Sequence, residues 1–411
     1  MILAVDIGGT KTLAALFEYE ETSQGPSSWR PTHLARWPSR DFHLEFITDF
    51  LTNSLKAHPP KSQSQAVKAA GFSLAGPILN DQCRLVNLER TLDFSKVRQH
   101  FPQISSIVFA NDVLATAHAL MVLPSSSIVS LTPQPPLFMR ADRDSAAGTP
   151  DTPGTPDTPG SAGTPDTANI SDNTNTANMT NTPTSPSDPF PIAVLAPGTG
   201  LGQSLLLSPS LALESEGAHT DFAPRTEQEV RLWRFLRDRF GHVSYERVLS
   251  GPGLHNIYSF LVQEIPADAA RYTPIPSPPE ITSHALAGRC PLCQASLDLF
   301  IEILGAQAGN LALQTMATGG VCLAGGIVPH ILPALQHHRF LQAFLDKGRF
   351  HTVVSQIPIA AVCTDQAALW GAASLAYINS SSPPTSHFPH RISSSTVSNS
   401  ASGSFAEIPI S

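Results

Sequence analysis

Asp6-Ile7-Gly8-Gly9-Thr10, preceded by the apolar run Met1 to Val5, and Gly198-Thr199-Gly200-Leu201-Gly202, preceded by Ile192 to Leu195, are one device written twice. Each apolar run reads as a buried strand. Each glycine turn then leads into a second strand, Thr12 to Phe17 in one case and Ser204 to Leu207 in the other, so each unit is a hairpin with a glycine tip. Glycine leaves the backbone amides free of side-chain bulk, so they can approach phosphate oxygens. The Thr10 hydroxyl adds a donor, and Asp6 stands where a carboxylate can hold a magnesium ion through water. Read singly, either stretch is equally an ordinary hairpin using glycine for positive φ. Read together, the two predict a duplicated α/β architecture with phosphate held between two lobes.

Between the hairpins lies Val108-Phe109-Ala110-Asn111-Asp112, a strand from Ile107 to Ala110 that ends in an amide and a carboxylate before a helical run, Leu114 to Met121. Asp112 is either the cap of that helix or a general base at a strand's carboxyl end. Downstream, Glu216 and His219 stand three residues apart beside Gly217, with no apolar periodicity to make them core. Glu246, with Arg247 next to it as a neutralising partner, reads by itself as a surface residue. Thr226-Glu227-Gln228-Glu229 matches a capping box. Cys290-Pro291-Leu292-Cys293 is half a zinc motif with no second pair to complete four ligands, and reads as structural. Helical runs are expected at 44–55, at 295–316 (buried between lobes or at a dimer interface) and at 366–377. Gly319 to Val328 is expected as a strand ending at small residues, Gly325 and Gly326, against which an adenine or ribose could lie.

Composition narrows the function classes. The net charge of -8, with only 14% charged residues in 411, supplies neither a basic patch for nucleic acid nor a polybasic run for lipid. A small-molecule partner is the expectation. The first residues lack the basic start of a signal peptide, and no stretch approaches the ~20 apolar residues of a membrane span. The expected location is the cytoplasm, with the five cysteines reduced. Residues 132–189 and 380–411 are rich in Pro, Thr, Ser, Asp and Asn, with Gly-Thr-Pro-Asp-Thr recurring at 148, 154 and 163. Both are expected to be disordered, as an insertion and a tail.

The ordered set Asp6 to Thr10, Asn111-Asp112, Gly198 to Gly202 and Ala324-Gly325-Gly326 resembles the first phosphate, catalytic, second phosphate and adenosine motifs of actin-like sugar kinases. Longer stretches, Glu216 to Pro224, Glu246 to Gly253 and Leu323 to Pro329, resemble the bacterial glucokinase family. The resemblance implies a two-lobed actin-like ATPase (ribonuclease H-like) fold. Its small lobe would be 1–122, completed by a helix at 366–378, and its large lobe 123–365. It implies transfer of the ATP γ-phosphoryl group to the 6-hydroxyl of glucose, with Mg2+, in a homodimer. By position it makes Asp112 the base, Asn111, Glu216, His219 and Glu246 the sugar ligands, and Asp6, Ile7, Gly8, Gly9, Thr10, Gly198, Thr199, Gly200, Gly325 and Gly326 the nucleotide contacts. The sequence departs from the family pattern at Ser215 and Ala218, where glycines are usual, in lacking a Trp after Asn87, and in its insertion. The alternatives are a related kinase of the repressor/open-reading-frame/kinase group acting on another hexose or N-acetylhexosamine, or a non-catalytic sugar sensor. The first would carry a Cys-rich zinc motif soon after its His; the second would need a helix-turn-helix module ahead of the first hairpin.

Overall fold

The computed structural model describes residues 1–22, 25–57, 66–85, 88–139, 189–265 and 273–381. Asn87, residues 140–188 of the expected insertion and the expected tail from 382 onward lie outside the described residues. Residues 132–139 carry turns joined to the neighbouring strand, with Thr132 Oγ1 accepting from Ile359 N at 3.0 Å.

The first apolar run forms β1 (Ile2–Ile7), and the glycine turn returns the chain as β2 (Lys11–Thr22). A third strand follows, β3 (Gly25–Pro38), then the amphipathic helix α1 (Leu44–Ala57) and the fully buried β4 (Ala69–Leu74). β5 (Ile78–Leu79), β6 (Gln82–Leu85) and β7 (Arg90–Asp93) make a small separate sheet, followed by α2 (Phe94–His100), β8 (Ser106–Asn111) and α3 (Asp112–Ala119). The five-stranded sheet has the order β3-β2-β1-β4-β8. Its last three strands are parallel, in a register that aligns Asp6 with Ser73 and Ser73 with Ala110, and Ile7 with Leu74 and Leu74 with Asn111. Asp6 and the Asn111-Asp112 junction therefore emerge at one edge, the carboxyl ends of parallel strands, where α/β sheets bind ligands.

The second half repeats the scheme. β9 (Ile128–Ser130) is followed by β10 (Ile192–Pro197), β11 (Leu201–Ser208) and β12 (Leu211–Ser215). Helices α4 (Glu227–Phe240), α5 (Gly251–Glu264), α6 (Pro278–Leu286) and α7 (Pro291–Thr315) precede β13 (Gly320–Leu323). Then come α8 (Val328–Leu335), α9 (His338–Leu345), the short α10 (His351–Val354), β14 (Ile359–Val362) and α11 (Ala367–Ser381). The six-stranded sheet runs β12-β11-β10-β13-β14-β9. An antiparallel hairpin beside three parallel strands is thus present in both sheets. This is the two-lobed α/β actin-like fold.

One hydrophobic cluster joins Ile2, Ala4 and Leu13 of the first sheet to Ile192, Val194 and Cys322 of the second through α3 and α11. The helices approach closely because they meet at glycine. A Cβ on Gly371 of α11 would lie 1.6 Å from the Ala115 carbonyl oxygen of α3, and one on Gly71 of β4 would lie 1.9 Å from that of Ala372. Of the two positions expected for the 295–316 helix, the one between the lobes is not taken: the helix is α7, packed in the second lobe's own core with α5, α6 and α9. Its near-uniform apolarity fits burial on every side, which periodicity cannot assign to a particular neighbour. The strand expected over 319–328 is shorter: β13 stops at Leu323, and α8 begins at Val328. Among the described residues no helix is long and apolar enough to cross a membrane.

Candidate active site

The Asn111-Asp112 junction divides its labour. Asn111 is the N-cap of α3, its Oδ1 accepting from Leu114 N at 2.7 Å, so the cap expected as one reading of Asp112 belongs to its neighbour. An Asn cap uses its oxygen and leaves the amide NH2 as a donor. Asp112, the first residue of the helix, is free of the capping bond. Desolvation pushes its carboxyl up to about 6, against the pull of the Val113 and Asp112 backbone amides. Asp6 is buried, and its carboxyl is pushed up to about 7 by desolvation, with the Asp112 charge adding to the rise. Ser73 Oγ donates to Asp6 Oδ1 at 2.8 Å and works the other way. Two neighbouring carboxylates at one sheet edge disfavour simultaneous ionisation, which is the electrostatic setting a divalent cation relieves.

The first turn is closed by Gly8 N donating to Lys11 O at 3.0 Å, leaving Thr10 exposed at the tip. The second turn is closed by Gly198 N donating to Gly200 O at 2.8 Å, and Gly251 N at the start of α5 donates to Gly198 O at 2.8 Å. Leu201 N donates to Glu246 Oε2 at 3.0 Å. Glu246 is therefore half-buried against the hairpin, and Arg247 does not neutralise it: the guanidinium stacks 4.2 Å from the centre of the Phe240 ring. A Cβ on Gly198 would lie 4.0 Å from Gly326 N, so the second hairpin and the Ala324-Gly325-Gly326 turn adjoin. Gly325 takes φ +86, and a Cβ there would meet the Pro197 carbonyl oxygen at 2.6 Å, so both conformation and space call for glycine.

The second hairpin also touches the Asn111-Asp112 junction directly. A Cβ on Gly202 would lie 2.1 Å from Val113 Cγ2, and Ser204 Oγ donates to Val113 O at 3.2 Å. Glu216 and His219 sit on a 3-10 turn after β12, their side chains 84% and 57% exposed with 3.8 Å between carboxylate and imidazole. The Tyr245 N to Thr220 O bond (3.1 Å) and the Phe222 N to Val243 O bond (2.8 Å) tie that turn to the segment carrying Glu246. Neither Ser215 nor Ala218 takes positive φ, so both substitutions for glycine are accommodated without strain. Contacts thus run from Asp6 through Asp112 and Val113 to Gly202, and from Gly198 to Gly326 and by way of Glu246 to the Glu216 turn.

Comparison with known proteins decides the family. The sequence model of the Glucokinase family matches residues 3–149 and 168–378. The glucokinase of Neisseria meningitidis serogroup C is 31% identical over 374 residues, covering 90% of this chain and 93% of that protein. The chain belongs to the glucokinase family. The crystal structure of a glucokinase from an Antarctic psychrotroph superposes with a TM-score of 0.67 at 28% identity, over 92% of this chain and 98% of the other. A glucokinase of the repressor/open-reading-frame/kinase family from Streptomyces griseus, solved with glucose and AMPPNP, shares the fold at 17% identity and a TM-score of 0.52, covering 91% and 98%.

Sequence reading missed two contributors to the site. The Glu246 bond to Leu201 N joins residues 45 apart and leaves no local signal. Gln203, buried beneath the Glu216 turn, reads in sequence as one more position of a strand. The capping box expected at Thr226 is half formed. Thr226 Oγ1 accepts from Glu229 N at 3.2 Å, but the buried Glu229 carboxylate turns to Arg225, taking its backbone N at 2.7 Å and its Nη2 at 2.6 Å.

Proposed function

We propose that the chain transfers the γ-phosphoryl group of ATP to the 6-hydroxyl of glucose, with Asp112 as the base that takes the hydroxyl proton. The carrying observation is the division of labour at the junction: Asn111 caps α3 and leaves the Asp112 carboxyl out of the cap, while desolvation moves it to about 6. A base serves best with a pKa near the working pH. Glu216, His219 and Glu246 hold sugar hydroxyls as acceptors and mixed donor-acceptors, and the Asn111 amide supplies a donor. The amides of Gly9 and Thr10, next to Ile7 and Gly8, and those of Thr199 and Gly200, next to Gly198, cradle the phosphates. Gly325 and Gly326 pass beneath the adenosine. Asp6, buried next to the Asp112 charge, would hold Mg2+ through water, and the ion would supply charge neutralisation to the phosphates. Most of the acceleration in such a site is positioning and electrostatics. The same reading places the protein in the cytoplasm as a homodimer, which sedimentation of the purified chain would test.

A coupled assay of ADP release with glucose, mannose, fructose and N-acetylglucosamine tests the substrate. The highest kcat/KM is expected with glucose. A higher value with N-acetylglucosamine would move the assignment to the amino-sugar kinases, and sugar binding without ATP turnover would leave a sensor.

A further inference from the structure

Gln203 of β11 is 4% exposed, and its Nε2 is buried with no hydrogen-bond partner among the described residues. Register places it opposite Ser215, the last residue of β12 before the Glu216 turn. Gly202 and Ser204, its neighbours in the strand, face Val113 of α3. Alternation sends Gln203 to the other face, where its Oε1 lies against Gly217: a Cβ there would come within 2.4 Å of Oε1 and 3.0 Å of Ser215 Oγ. Ser215 Oγ meanwhile accepts from Gly217 N at 3.1 Å. Three groups therefore share the space under the turn, one of them a position where this sequence departs from its family, and one buried donor is left over. A buried N–H without a partner is costly.

We propose that Gln203 is a positioning residue for the sugar-binding turn 215–219. When glucose draws the exposed Glu216 and His219 side chains inward, a carbonyl of the turn comes within reach of Gln203 Nε2. That bond holds Glu216 in its binding pose, and sugar affinity is coupled to its formation. The proposal rests on the assignment of Glu216 and His219 as sugar ligands.

The test uses the full chain with Gln203→Met, which keeps the shape and removes the amide, and Gln203→Glu, which keeps the length and, when ionised, offers no donor. Both are expected to raise the KM for glucose about 2- to 12-fold, the size of one lost neutral hydrogen bond, with kcat and the KM for ATP within about twofold. The melting temperature of unliganded Gln203→Met should equal or exceed that of the parent, because an orphan donor has gone, while the rise produced by saturating glucose should shrink. A lowered unliganded melting temperature with kcat and KM falling together would mark Gln203 as a packing residue and overturn the proposal. Glu216→Gln serves as the control for the underlying assignment. If it raises the glucose KM and Gln203→Met does not, the positioning role is wrong and the sugar site stands. If neither variant moves it, the sugar-ligand assignment of the turn falls and the proposal falls with it.

Discussion

The two glycine hairpins have the same local plan and are held in different ways. The first is secured by residues around its own sheet: Ser73 holds Asp6 from β4, Ser39 N donates to Thr10 O at the tip at 3.0 Å, and Lys11 and Arg36 both pair with Asp365 just before α11, Arg36 at 2.8 Å. Its tip bears no bond to the sugar-side segments among those described. The second is secured at the tip itself, by Gly251 N, by Glu246 Oε2 and by the adjoining Gly326 turn. The same carboxylate that closes it is the proposed sugar ligand. One hairpin is thus coupled to the packing of its lobe, and the other to the substrate site. A duplicated fold has left one copy as an anchor and made the other a relay.

Asp112 stands between them, beside Asp6 on one side and joined through Val113 to Gly202 on the other. The largest effect is therefore expected from Asp112→Asn: turnover should fall by about 10² to 10⁴ with glucose binding nearly intact. In the parent, protonation of a base raised to about 6 should lower kcat/KM as pH falls through that value. The variant should lose this acid limb, and undiminished turnover would remove Asp112 as the base.

Gly200→Ala against Gly8→Ala sharpens the contrast between the hairpins. A Cβ on Gly200 would lie 2.6 Å from Glu246 Oε2, the mobile end of a side chain, so the carboxylate moves and its charged hydrogen bond is disturbed. The KM for glucose should rise about 10- to 100-fold. A Cβ on Gly8 would lie 3.0 Å from the Lys11 carbonyl oxygen, so Gly8→Ala should raise the KM for ATP and spare that for glucose. Equal effects on both substrates from both variants would dissolve the comparison. The smallest effect belongs to Asp365→Asn. Its partners are half-exposed, so about 1 kcal/mol or less of stability should go, read as a small fall in melting temperature with the glucose KM unchanged.

Much of this was legible without coordinates. β1, β4, β8 and β10 are short apolar runs closed by small or polar residues, and the continuous apolar character of β1 and β4 matches strands buried on both faces. β3 was not legible. Gly25–Pro38 carries two prolines beyond its first residues and alternating polar side chains, and it becomes a strand only because β2 pairs with it and Trp29 stacks on Tyr19 at 5.1 Å. The cap at Asn111 was a choice between two adjacent residues with equal cap propensity, and only the backbone bend at the strand's end decided it.

By itself, then, the sequence determined the hairpins, the strand-to-helix junction and the order of the motifs, because each depends on φ, ψ and periodicity within a few residues. Only the tertiary structure decided that α11 rather than α7 lies between the sheets, that Asn111 rather than Asp112 caps α3, that Glu246 closes the second hairpin and that Gln203 lies under the Glu216 turn. Apart from the cap, each of those joins residues far apart in the chain, and burial belongs to the whole packed molecule.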